Sequence, residues 1–244
     1  MPPRRPRTFA FGVRLAQSGG LVGLGLGVAG ILAVASIAAA LALRGDPLVN
    51  QVPSLACQAL AWGAGITVAF GAARRAASRD RDEGFFALAR CRGVTPYAYV
   101  EARVVGLAAL VAVAVGGGTA LAGAAAALSS PSAGVFRATG GALAYALVFS
   151  ATISPVAFAS LAAGSTVTGY LALASLLVLP ELASPWTSAL LPAGWHELTS
   201  VPAALDAIRT GAGWHAARAL AGLTALAAAS LAILMGRTSS EPDP

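Results

Sequence analysis

From Leu21 to Leu43 the chain carries no charged side chain, and apolar blocks of this kind recur almost to its end. A helix needs about 20 mostly apolar residues to cross the hydrocarbon of a bilayer, within a range of roughly 17 to 25. Blocks of that length are therefore read as spans. The competing reading is a soluble, alanine-rich helical protein. Composition argues against it: 57% of the residues are hydrophobic and 11% are charged, where a soluble domain carries about 25% charged residues. The mean hydropathy is +0.75. The expected fold is all-α, a single polytopic transmembrane domain over residues 1–244.

Residues 1–20 hold Arg4, Arg5, Arg7 and Arg14 and no acid. Phe9, Phe11, Val13 and Leu15 alternate there with Arg7, Arg14 and Gln17, which suits a short helix at the membrane interface. The first block is longer than the roughly 7–15 apolar residues of a signal peptide, so it is read as a retained span. Six spans are expected, at about 21–43, 55–73, 104–128, 140–163, 166–180 and 214–235. A charged loop at 74–103 joins the second and third, and an outer segment at 182–213 precedes the last. The fifth block is short and is expected to stop at Pro180 and Glu181.

Charge sets the expected orientation. Lysine is absent, and the net charge of +6 comes from arginine. Arg74, Arg75, Arg79, Arg81, Arg90, Arg92 and Arg103 crowd one loop, whereas the segment from Arg44 to Ser54 is turn-rich and weakly charged. Arginine-rich loops stay in the cytoplasm. Both termini and the 74–103 loop are therefore assigned inside, in a cytoplasmic membrane, with residues 182–213 outside. No basic stripe interleaved with aromatics occurs, so nucleic acid is not an expected partner.

Several chemistries lack their residues. The chain has no GxxxxGK[ST] phosphate loop and no lysine, nor any HExxH, CxxC or GxSxG motif. It is not expected to be an enzyme, and no cofactor or metal is expected in it. His196 and His215 are expected to make interface hydrogen bonds. Gly116, Gly117 and Gly118 should loosen or bend the third span. Pro155 stands inside the fourth, beside Ser150, Thr152 and Ser154, which mark a kink or line a path. In the outer segment Glu181, Trp186, Trp195, His196 and Glu197 stand out, with the tryptophans suited to a membrane boundary.

The charged loop has internal order. Asp80, Asp82 and Glu83 precede Gly84, Phe85, Phe86 and Leu88, and Arg90 and Arg92 follow. Acids in front and arginines behind suit the dipole of a short helix. Phe85, Leu88 and Ala89 fall on one face by their spacing of three and four. Gly93 ends the helix, and Thr95 before Pro96 is a helix cap followed by proline at the first helical position. Such a helix either rests on the lipid surface or docks a soluble partner.

These residues carry a resemblance. Asp80-Arg81-Asp82-Glu83-Gly84, then Leu88, Arg90 and Arg92-Gly93-Val94, then Tyr97 to Arg103, resemble the inner loop of ABC-2 type (type V) transporter permeases. The haem-exporter membrane subunit of cytochrome c maturation is a related possibility. The family's loop has leucines where Phe86, Ala87 and Ala89 stand, and often a lysine at Arg103. The resemblance implies that Asp80, Asp82, Glu83, Gly84, Phe85, Phe86, Leu88, Arg90 and Arg92 form a coupling helix seated on an ATPase subunit. It implies re-entrant outer-leaflet helices over Leu182 to Pro202. It also implies two ATPase subunits, which bind ATP and Mg, and a second permease copy or a related permease. The function implied is that of the membrane-spanning subunit of an ATP-driven exporter. The alternative is a non-transporting scaffold or assembly factor that holds a cytoplasmic partner through the 80–92 helix.

Overall fold

The computed structural model describes residues 12–14, 17, 20–84, 87, 88, 91, 93–162, 166–190, 195–211 and 213–240. Among them there are helices and turns and no strand. Five helical stretches are long and apolar enough to cross a membrane: Gly20–Ala42, Pro47–Ala77, Pro96–Ser129, Ala133–Leu161 and Gly213–Gly236. The expected fifth of six blocks gives only a shorter apolar helix, Val167–Ala183.

Helix α1 is Gly20–Ala42. Asp46 turns the chain by accepting from the Leu48 amide at 2.8 Å and opens a 3-10 turn, Pro47–Gln51. Helix α2 (Val52–Ala59), a π-helical turn (Leu60–Gly65) and α3 (Ile66–Asp82) then follow without a break. After the loop come α4 (Pro96–Ala112), a second π-helical turn (Val113–Gly117) and α5 (Gly118–Ser129). Next are α6 (Ala133–Ala162), α7 (Thr166–Leu190), the short α8 (Trp195–Thr199), α9 (Val201–Thr210) and α10 (Gly213–Ser240).

Helix α6 is the central post. It packs on α10, α3, α4, α9, α7, α2 and α5. Two thirds of its apolar window is buried (67%), against 22% in α1 and in α10, whose outer faces are left to the membrane. Small residues make this density possible: Ala142, Ala146 and Ala157 are fully buried beside Tyr145 and Phe149. Lipid is as apolar as a leucine side chain, so helices in it associate by close fit, which small residues permit.

Several boundaries differ from the sequence expectation. The charged stretch does not leave the helix at Arg74: α3 continues to Asp82, carried by Ala76 and Ala77, and the loop narrows to 83–95. Alanine is the strongest helix former, and charged groups at a helix end can stay solvated. At the opposite end, residues expected in turns join helices, α2 starting at Val52 and α6 at Ala133. The Ser132 hydroxyl caps α6 by accepting from the Val135 amide at 3.2 Å. Helix α7 does not stop at Pro180 but runs on to Leu190. Proline removes one helical hydrogen bond, and in an apolar environment the remaining bonds have no better partner than the helix itself. The expected outer segment is thus part α7 and part α8 and α9, with 191–194 outside the described residues. Of the expected interfacial helix, residues 12–14 and 17 are helical. Gly12 lies against the Ala102 carbonyl and Gly106, so this stretch packs on α4. Phe9, Phe11 and Leu15 lie outside the described residues.

Candidate functional site

The strongest concentration of polar chemistry lies where α3 ends and α4 begins. Thr95 is extended (φ −69°, ψ 150°), and its hydroxyl accepts from the Ala98 amide at 3.3 Å. Pro96 then occupies the first helical position, so α4 starts where the sequence cue placed it. One turn later Tyr99 and Arg103 stand on the same face, four residues apart. Arg103 Nη2 donates to Asp80 Oδ1 at 2.8 Å, and the Tyr99 hydroxyl donates to the same oxygen. Arg103 Nη2 and Nε also reach the Tyr99 oxygen, at 2.8 and 3.2 Å. The guanidinium carbon sits 5.2 Å from the Tyr99 ring centre.

This arrangement is a clasp between the ends of two spans. Arg103 is 5% exposed, so its charge is held by Asp80 and Tyr99 in place of water. Burial pushes the Asp80 carboxyl above its usual range, and the Arg103 guanidinium opposes that rise. Asp80, expected in front of the coupling helix, lies near the end of α3 and ties α3 to α4. Arg103, expected as the end of the loop, is the buried centre of the cluster. Sequence reasoning missed Tyr99, although its spacing of four from Arg103 was a usable signal.

The loop itself projects beyond the clasp. Gly84 (φ 60°) and Gly93 (φ 76°) mark its two ends in the left-handed conformation. Between them Leu88 is 51% exposed, with its amide donating to the Gly84 carbonyl at 3.1 Å. Glu83 and Cys91 are exposed, as is Tyr97 just past the loop. Phe85, Phe86, Arg90 and Arg92 lie outside the described residues, as does the side chain of Asp82.

Midway along the spans, Ser150, Thr152 and Ser154 are buried around Pro155 in α6. The Ser154 hydroxyl donates to the Ser150 carbonyl at 2.7 Å and that of Ser150 to the Leu147 carbonyl at 2.8 Å. The two π-helical turns pack against each other nearby. A Cβ on Gly65 would stand 2.8 Å from Phe149 Cε1 and 2.9 Å from Val115 Cγ2, so these two side chains pack directly onto the bare backbone of Gly65. Phe149 also meets Trp62 edge-on, with ring centres 5.8 Å apart. The sequence hinted at the second π turn through Gly116 and Gly117, and the first went unread.

At the end opposite the loop, the sequence-separated polar residues meet around α8. The Ser200 hydroxyl, which caps α9, donates to Glu181 Oε1, and His196 Nε2 lies 3.7 Å from the same oxygen. On the other side, His215 Nδ1 donates to Glu197 Oε1, and Arg218 Nε lies 3.9 Å from Glu197 Oε2. His215 thus bonds across from α10 to α8, whereas His196 stands beyond hydrogen-bond distance of Glu181. Trp186 and Trp214 are exposed, at 74% and 72%. The Trp195 side chain lies outside what is described. No group of three or more His, Cys, Asp or Glu placed to hold a metal occurs among the described residues.

Comparison with known proteins gives no matching family model, no matching curated protein and no matching solved structure. The described helices, their length and their apolar surfaces make this chain an all-α, multi-span membrane protein.

Proposed function

We propose that this chain is the permease subunit of an ATP-driven transporter of the ABC-2 type, an exporter that works with a separate ATPase subunit. The observation that carries this reading is the Asp80–Tyr99–Arg103 clasp directly behind the 83–95 loop. A loop fixed in this way at its base is a lever. A push on Leu88 and its neighbours is transmitted into α3 and α4 together and does not dissipate in slack chain. The helices α3 and α4 lead straight into the two π-helical turns, and π bulges often mark places where a helix serves function. Closure of two ATPase subunits around ATP and Mg would tilt these spans between two states. A second permease copy or a related permease would complete the pathway. The loop faces the cytoplasm in this reading, with both termini on the same side of the inner membrane.

The test is co-purification with candidate ABC ATPase subunits, followed by substrate-stimulated ATP hydrolysis in nanodiscs. Phe85→Ala combined with Leu88→Ala should weaken ATPase binding and abolish stimulation. An apolar anchor desolvated in a partner groove typically costs about 2 kcal/mol when truncated. Undiminished binding and stimulation in the double variant would remove the loop from the mechanism. Binding without ATP-dependent substrate movement in vesicles would point to the scaffold reading instead.

A further inference from the structure

At the end of the molecule opposite the charged loop, a cavity of about 490 Å3 opens between the start of α2, the start of α6 and the end of α9. Its polar lining includes Asn50, Gln51, Ser54, Gln58, Arg137 and Arg209, and none of its lining residues is acidic. Arg137 is exposed and has no carboxylate partner among the described residues. Arg209 has one in Asp206, which accepts from Nε at 2.8 Å and Nη2 at 2.6 Å and leaves Nη1 uncommitted. The Ser132 hydroxyl donates to Asn50 Oδ1 at 2.8 Å, which leaves the donor half of that amide unused. Gln58 is half-buried, inside an apolar span where a polar side chain is costly without a partner. Leu55 lines the same cavity and is 59% exposed, so its wall continues onto the apolar outer surface of α2.

We propose that this cavity binds a phosphate group, held between Arg137 and Arg209 and bonded by the amides of Asn50 and Gln58. The uncompensated Arg137 guanidinium, the Arg209 Nη1 left over from its pair with Asp206 and the surrounding N–H donors match an acceptor-rich, negatively charged phosphate better than a neutral ligand. The volume falls within the roughly 300 to 1,000 Å3 of small-molecule sites, which leaves room for a substituent on the phosphate. An arginine that merely reached up to solvent would not need a second guanidinium and an amide pair from other elements beside it. This site is independent of the transport reading and stands whether or not the chain couples to an ATPase.

The same chemistry is available from a lipid headgroup or from soluble phosphate, and binding assays separate the two. The full chain, purified in an uncharged detergent, is titrated with dihexanoyl phosphatidylglycerol, with inorganic phosphate and with dihexanoyl glycerol, which lacks the phosphate. Saturable binding of the phosphatidylglycerol that inorganic phosphate does not match assigns the site to a lipid headgroup. Equal or tighter binding of inorganic phosphate assigns it to a soluble phosphate. In either case Arg137→Gln should weaken binding at least about tenfold, as expected for a charged hydrogen bond, and Arg137→Lys should recover part of the loss. Gln58→Leu, which removes a donor and no charge, should weaken binding independently. Binding of dihexanoyl glycerol as tight as that of the phosphate probes would overturn the proposal. So would unchanged affinity in Arg137→Gln, or no binding of any probe.

Discussion

Arg103 shows how much one buried charge can organise. It is 5% exposed, and the Asp80 carboxylate and the Tyr99 phenol are among the groups that bond it. Removing a single partner strands the other charge, which in buried pairs costs about 3 to 5 kcal/mol, whereas replacing both by apolar residues is often near neutral. Asp80→Ala should therefore lower stability by about 3 kcal/mol, the lower end of that range, because the Asp80 side chain keeps 31% exposure to solvent. Asp80→Leu combined with Arg103→Met should melt close to the parent chain in detergent. The double variant keeps the helices together but lacks their directional tie, so it also asks whether the lever needs a polar base. Losses in Asp80→Leu and Arg103→Met that simply add in the double variant would mean that the pair is not coupled.

At the scale of elements, the paired π-helical turns carry the sharpest expectation, because one substitution should act with opposite sign at two places. Gly65→Ala would press a methyl group into Phe149 and Val115, each less than 3 Å away. Overpacking of this kind typically costs about 1 to 3 kcal/mol. Gly27 in α1 has nothing within 4 Å of a would-be Cβ. Gly27→Ala should be neutral or stabilising by up to about 1 kcal/mol, since glycine is the weaker helix former. Thermal melts of both variants check this, and shifts of the same sign would show that the π turns are looser than their geometry. The contrast also explains what the sequence could reveal. Long apolar blocks are legible because membrane thickness fixes their length, and Thr95-Pro96 is legible because capping is local. The π turn at Leu60–Gly65 was not, because no local pattern marks it and its closest fit is with Val115 and Phe149 far along the chain. Pro180 misled for a related reason, as lipid removes the water that would compete for the helix bonds around it. In the candidate site, the loop and its cap could be read, while the Tyr99–Arg103–Asp80 clasp required two helix ends to be brought together.

At the scale of the whole molecule, charge divides the two ends. The loop end carries Arg74, Arg75, Arg79 and Arg81 within one helix extension, with Arg90, Arg92 and Arg103 following in sequence. At the other end Arg44, Arg137, Arg209 and Arg218 are spread over separate segments. An arginine excess in short loops near span ends holds them in the cytoplasm. The chain carries its own reporter of this orientation, because its two cysteines differ so strongly. Cys57 is fully buried and its thiol donates to the Ala142 carbonyl at 3.1 Å. Cys91 is exposed within the loop. A membrane-impermeant maleimide should therefore leave the parent chain unlabelled in intact cells and modify Cys91 once the membrane is permeabilised. Asp46→Cys, made together with Cys91→Ser, moves the reactive thiol to the exposed turn at the other end and should label without permeabilisation. The pair of measurements is internally controlled, since each chain holds one accessible thiol and Cys57 stays shielded in both. Labelling of Cys91 in intact cells, with protection at position 46, would invert the molecule. The 83–95 loop would then face away from any cytoplasmic ATPase, and the coupling mechanism would lose its partner.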